Sequence, residues 1–457
     1  MSGVTALPRP ASGVAKLHPQ AALAVLATAQ FLIVFNGTSA NLALPDAIAD
    51  LGLSEGLAVW VVSGYLLTFG GLLLLAGRLG DIAGRRRLLL AALVIFGLGA
   101  TVAGLAPNGT VLVVARVVQG IGAAGVGPSV LGLLMAVFTD PQERRRALGV
   151  WGAVASGGAA LGVLGGGALT TWFDWRAVLL INAPFVAVLV VGIPATVNPV
   201  PRVKGTHASV TGAVLSVAGI GSLVAGLTVG GEIGWTSATT LFLFAAGIVV
   251  LAMFGLLERV SAHPFLPVDL LTRASSAGGL TAMLAAAVAM FPVMFIASVL
   301  LQSRLGFSPV AAGLMMLPIS LATIGGSLLA PRMIPRLGPV RPLLVGLVVV
   351  AVGTGAFAIA VAYGVPLGAF VPATIVFGAG MGLSITGAIT LALSGATPAE
   401  AGAASGLLQT GQQLGGAVGL AAITTISAGA GYAVGLGIAA AVVVAGILLV
   451  ALRLHRP

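Results

Sequence analysis

Arg116 is the one ionisable side chain in the apolar run from Thr110 to Phe138, a stretch long enough to cross a bilayer. A guanidinium at that depth costs from about 2.5–3.5 kcal/mol on insertion scales to above 10 in simulations, so its presence points to use. Gln119 follows one turn later on the same helix face. Such a pair can meet a polar group of a substrate or tune a proton site. Alternatively, Arg116 lies about six residues from the outer edge of the run and can snorkel outward. Asn36 and Asn41 are polar residues of an earlier apolar run, where they either bond between helices or line a cavity. Asn36 cannot titrate. Trp60, Tyr65, Trp151, Met290, Phe291, Met294, Gln302 and Gln409 add groups suited to an adaptable, mainly apolar cavity, although packing or lipid contact is the commoner role for any one of them.

Other chemistries are excluded. The chain has no cysteine, and its four histidines (His18, His207, His263, His455) are far apart in sequence, so no zinc or iron site is expected. Lys16 and Lys204, the only lysines, are followed by Leu17 and Gly205, so the chain contains no Gly-x-x-x-x-Gly-Lys-Ser/Thr phosphate loop. No nucleophile and base can be paired, so no catalytic residues are assigned and an enzyme is not expected. The expected cofactor list is empty, leaving an ion gradient as the energy source.

The elements that must hold these residues follow from composition. Only 7% of the 457 residues are charged, 58% are hydrophobic and the mean hydropathy is +1.15. A soluble domain carries roughly 25% charged residues, so this is an all-α membrane protein. Apolar runs predict fourteen spans at 21–44, 57–77, 88–106, 110–138, 147–171, 176–196, 207–230, 237–257, 275–302, 308–334, 341–363, 366–396, 401–427 and 431–453. With the N-terminus inside, 18 Lys and Arg fall in inner connectors and tails, and only Arg176 and Arg304 fall outside. That bias places both termini in the cytoplasm of a multi-pass cell-membrane protein. The net charge of +10 is thereby explained without nucleic acid. No acidic residue falls within a predicted span; Asp46 and Glu232 lie just beyond the first and seventh.

The chain also repeats. Arg78, Gly84 and Arg87 recur as Arg332, Gly338 and Arg341, 254 residues later, and Gly120 and Gly122 recur as Gly378 and Gly380, 258 later. This predicts a cytoplasmic tail (1–20) and a six-helix bundle (21–196). A linker (197–274) with an inserted pair (207–230, 237–257) precedes a second six-helix bundle (275–453). The position matching Arg116 is Thr374, so the second half lacks the cation.

Gly77-Arg-Leu-Gly-Asp-Ile-Ala-Gly-Arg-Arg-Arg87 resembles the signature loop of the major facilitator superfamily, and Arg116-Val-Val-Gln-Gly-Ile-Gly-Ala-Ala124 resembles its fourth-helix motif. Asn41-Leu-Ala-Leu-Pro45, Trp60-Val-Val-Ser-Gly-Tyr65, Trp175-Arg-Ala-Val-Leu-Leu-Ile-Asn182 and Ala403-Ala-Ser-Gly-Leu-Leu-Gln409 are similar to the 14-helix drug:proton antiporter branch. The resemblance implies a monomeric, proton-driven exporter of small hydrophobic or amphipathic molecules by alternating access, with membrane lipid as its other partner. It implies a cytoplasmic gate at Gly77, Asp81, Gly84, Arg85, Arg86 and Arg87, and antiporter-motif glycines at Gly158, Gly162, Gly166 and Gly167. An uncoupled facilitator, an importer, or a non-transporting sensor or scaffold with the same fold stays open. Two positions depart from the branch: Asn36 stands where an Asp is usual, and Val163 replaces the motif's Pro.

Overall fold

The computed structural model describes residues 19–199, 209–261, 271–364, 367–395 and 401–454. Nearly all of the tail 1–20, all four histidines, and the side chains of Asp81, Arg144 and Arg145 lie outside this description. The described helices are α1 (Pro19–Leu51), α2 (Glu55–Ala83), α3 (Arg85–Gly104), α4 (Gly109–Val137), α5 (Pro141–Trp172), α6 (Trp175–Leu180), α7 (Asn182–Thr196), α8 (Val210–Ile233) and α9 (Ala238–Val260). They continue with α10 (Ala274–Val299), extended by a π-helical turn Leu300–Arg304, then α11 (Pro309–Leu337), α12 (Val340–Ala362), α13 (Leu367–Ser394), α14 (Ala401–Ala430) and α15 (Tyr432–Leu454). Thirteen helical segments among the described residues are long and apolar enough to span a membrane, α6 and α7 counting as one. The 32-residue α5 packs against α1 as a fourteenth.

Local chemistry sets the helix ends. Ser54, Asn108, Asp140, Asp174, Ser209, Ser237 and Ser308 accept hydrogen bonds from the first-turn N–H groups that helix geometry leaves over. The sixth span is two helices rather than one, divided at Ile181. Pro184 has no N–H to give the Leu180 carbonyl, which is the bond a continuous helix needs there.

Two sequence boundaries are corrected. The first helix runs to Leu51, not 44, passing through Pro45, so Asp46 lies within it and is half-buried. Glu232 likewise lies inside α8. The signature segment is not a loop: α2 ends at Ala83, α3 begins at Arg85, and Gly84 alone separates them at φ +96°. That left-handed backbone suits glycine and no side-chain residue. Gly338, its repeat partner, ends α11 at φ +71°.

The repeat is physical. Gly120 lies against the Tyr65 carbonyl as Gly378 lies against that of Ile319. Gly122 lies against the Phe96 N–H and Ala92 carbonyl as Gly380 does against those of Val350 and Gly346. A Cβ at any of the four would strike backbone, so these glycines let helices approach closely in each half.

Helices α1–α7 form one six-span bundle and α10–α15 the other. Among the described residues they meet mainly at three seams. Helix α2 lies along α14, with Ser63 Oγ donating to the Ala417 carbonyl at 3.4 Å and Leu74 against Gly406. The end of α5 lies on the start of α11, where the Val310 N–H donates to Thr171 Oγ1 at 3.0 Å. Helix α1 meets α10 through Asn41 and Ser298. The inserted pair is not a bystander: α8 packs on both α2 and α14, across the first seam. The Gly56 N–H donates to Glu232 Oε1 at 3.0 Å, and Thr425 Oγ1 donates to the Leu227 carbonyl at 3.3 Å.

Candidate functional site

Arg116 is 2% exposed, so it does not snorkel. Its Nε donates to the Val61 carbonyl at 3.1 Å, and its Nη1 donates to Asn36 Oδ1 at 3.0 Å and Gln119 Oε1 at 2.6 Å. Its guanidinium carbon lies 4.3 Å from the centre of the Tyr65 ring. One side chain of α4 thereby ties together α1 and α2, with Gln119 supplied from α4 itself. Four of the predicted residues, Asn36, Tyr65, Arg116 and Gln119, form a single cluster, each at most 2% exposed.

No carboxylate among the described residues pairs with Arg116. Its neighbours are neutral, and the cation is held by carbonyl oxygens and an aromatic face. A guanidinium offers only donors, so the oxygen of each amide must face it and each NH2 must face elsewhere. Asn36 Nδ2, Gln119 Nε2 and Tyr65 Oη are all buried without a hydrogen-bond partner among the described residues. Leaving such a group unpaired costs about 1–3 kcal/mol, so the cluster carries unspent binding capacity. The repeat-related Thr374 is fully buried and, among the described residues, bonds the Val371 carbonyl of its own helix at 2.9 Å.

Asn41 and Gln302 belong to a different place. Pro45 has no N–H for the Asn41 carbonyl, and Ser298 Oγ of α10 donates to that carbonyl at 2.7 Å. Gln302 Nε2 donates to the Leu42 carbonyl at 3.2 Å and to Ser298 Oγ at 2.9 Å. This clasp closes the bundles at the arginine-poor end. Beside it lies a cavity of about 330 Å3 bordered by Pro45, Ile48, Phe295, Arg304, Ser427 and Tyr432.

Trp60 packs at the seam with α8 and α14 rather than near Arg116. Met290 is half-buried, with Gln412 Nε2 3.9 Å from its sulfur, and Gln409 is exposed on α14. Gln409, Gln412 and Gln413 share one helix face, a polar face on a membrane helix beside the seam with α2, where Gln413 lies against Gly70. Sequence reading found only the first of the three; their i, i+3, i+4 spacing was the available signal. Ser298 and the Val61 carbonyl were also missed, since a serine and a valine in apolar helices carry no signal of their own.

The motif glycines divide by partner. Gly158, Gly162 and Gly166 face α1, lying against Val34, the Phe35 carbonyl and Ser39 respectively. Gly167 faces α11, where a Cβ would lie 2.5 Å from the Pro309 carbonyl. Val163, at the motif's proline position, has its carbonyl against Gly313 of α11 and is fully buried in this seam. At the arginine-rich end, Arg85 in the first turn of α3 lies over Gly132 of α4, within its own bundle. Gly77 faces Pro128, Gly80 lies against Arg85, Arg86 is half-buried and Arg87 exposed; the Asp81 side chain falls outside the description.

The family model of the Major Facilitator Superfamily matches residues 26–209 and 204–420. The puromycin resistance protein of Streptomyces alboniger is 36% identical over 412 residues, covering 89% of this chain and 82% of its own. The cephamycin export protein of Amycolatopsis lactamdurans is 36% identical over 410 residues, covering 89% and 84%. The solved structure of the POT family transporter PepTSo superposes with a TM-score of 0.68 at 16% identity, covering 95% of this chain and 98% of that one. Two repeated six-span bundles with an inserted helix pair, sequence matched almost end to end and a shared fold all place the chain in the Major Facilitator Superfamily.

Proposed function

We propose that this multi-pass membrane protein is a secondary transporter exporting small hydrophobic or amphipathic compounds such as drugs, antibiotics or metabolites. The bundles 21–196 and 275–453 rock against each other, and the linker 197–274 carries the helix pair that spans their seam. Both chain ends lie in the cytoplasm, and the chain acts as a monomer. The observation that carries this reading is the build of the contact between bundles. Glycines at 70, 167, 313 and 406 and a few hydrogen bonds hold the seams, which suits surfaces that slide and part. The relatives named for puromycin resistance and cephamycin export support the cargo class and the direction.

Proton exchange drives the cycle in this reading, and Asp46 carries the proton. It is half-buried within α1, next in sequence to Pro45 of the cavity border, and has no hydrogen bond among the described residues. Asp50, by contrast, is engaged by Arg176 at 2.7 Å. Asn36 favours a second reading, an uncoupled facilitator, because the amide beside Arg116 holds no exchangeable charge. Uptake of a compound panel into proteoliposomes, with and without an imposed pH gradient, separates the two. Gradient-stimulated flux supports the antiporter; equal flux under both conditions supports the facilitator; no flux of any compound removes transport itself. The gate residues Gly77 to Arg87 act at the arginine-rich end by letting α2 and α3 pivot at Gly84.

A further inference from the structure

We propose that the Arg116 cluster is an anion-binding site, taking either a small inorganic anion or the carboxylate of an acidic cargo. The charge count and the donor count agree. Arg116 is buried with only neutral partners among the described residues, and its Nη2 carries none of the three hydrogen bonds it makes. Asn36 and Gln119 have both turned their oxygens to the guanidinium, which leaves two buried NH2 groups unpaired. The Tyr65 hydroxyl is unpaired as well, on a ring already stacked beneath the cation. The free valences around this one positive charge are therefore N–H groups and a hydroxyl that can donate. Only an acceptor satisfies them, and only an anion also balances the charge. A neutral water would fill hydrogen bonds without offsetting the guanidinium.

The cluster also explains why an asparagine serves here. An aspartate at position 36 would supply the counter-charge internally and close the site to any ligand. With Asn36 the counter-charge comes from outside, and a cargo carboxylate placed there joins α1, α2 and α4 of the N-terminal bundle. The cargo arm of the proposal rests on the transport reading above; the binding arm does not.

The test is thermal unfolding of the purified full-length protein at constant ionic strength. The probes are sodium chloride, sodium benzoate and the uncharged benzamide, each against sodium HEPES, a bulky sulfonate without a carboxylate. Benzoate or chloride should raise the midpoint by about 2 °C or more at concentrations above the dissociation constant, and benzamide should not. The Asn36→Asp variant should unfold at a higher temperature without any ligand and lose the anion response. It stays informative if Arg116→Gln does not fold. Response to chloride alone assigns the site to an inorganic anion. Response to benzoate, together with proteoliposome uptake of carboxylic acids over their methyl esters by tenfold or more, assigns it to cargo. Equal midpoints in all four media, or an anion response that Asn36→Asp retains in full, overturns the proposal. Uptake of the esters continues in either case if the transport reading holds.

Discussion

Asn36 and Arg116 stand 80 residues apart in sequence and 3.0 Å apart in the structure, amide oxygen to guanidinium nitrogen. That bond sits between α1 and α4, in a cluster shared with Tyr65 and Gln119, and it gives the buried cation one of its few acceptors. Replacing Asn36 by leucine keeps the branching and heavy-atom count of the side chain and removes the acceptor. Stability should fall by about 1–3 kcal/mol, the cost of an unmatched buried charge-assisted hydrogen bond. Denaturant or thermal titration of the purified variant measures this, and an unchanged midpoint would show that Arg116 finds its acceptors elsewhere.

Asp46→Asn should leave folding intact, because the side chain makes no hydrogen bond among the described residues, yet uncouple flux from the pH gradient. The expected result is residual downhill transport that a gradient no longer stimulates. Full gradient stimulation in the variant would place the proton on another group.

Gly167→Val should cut transport at least tenfold with a modest stability loss of about 1–3 kcal/mol from overpacking. The added side chain meets the Pro309 backbone of α11, across the bundle seam, rather than the core of α5's own bundle. Gly166→Val, which strikes Ser39 of α1, should cost more stability because the contact lies within one bundle. Comparing the two unfolding midpoints with the two transport rates checks the distinction.

The chain has no cysteine, so a pair introduced at Asn41 and Ser298 can be bridged selectively. A short reducible thiol cross-linker should join them, since Ser298 Oγ lies 2.7 Å from the Asn41 carbonyl. Bridging should stop transport, and reduction should restore it, if the arginine-poor end must open in each cycle. Transport at the normal rate in the bridged protein would contradict alternating access at this clasp.

Much of this was legible in the chain. Long apolar runs admit only helices in lipid, so the number of spans and the two-bundle repeat followed from hydropathy and spacing alone. The 254-residue offset also survives in the contacts, because Tyr65 and Ile319, or Phe96 and Val350, meet equivalent glycines. Arg116 announced itself because a charge within an apolar span is costly. Helix ends were less legible. Hydropathy weighs side chains and not backbone bonding, so it closed α1 at the first proline–acid pair and opened α3 after its arginines, although both helices continue through them.

The sequence by itself determined the class of element, their number and the location of the costly charge, but not that α1 runs on through Pro45 and leaves the Asn41 carbonyl free. It could not determine which group answers each of these. That Asn36, Tyr65 and Gln119 surround Arg116 without a carboxylate, and that Ser298 fills the Asn41 carbonyl, depends on which faces the helices turn to one another. Those rotations are set by glycine contacts such as Gly162 on Phe35 and Gly120 on Tyr65, spread over residues far apart in the chain. Local pattern carries the helix, but side-chain pairing between helices is settled only when the whole bundle packs.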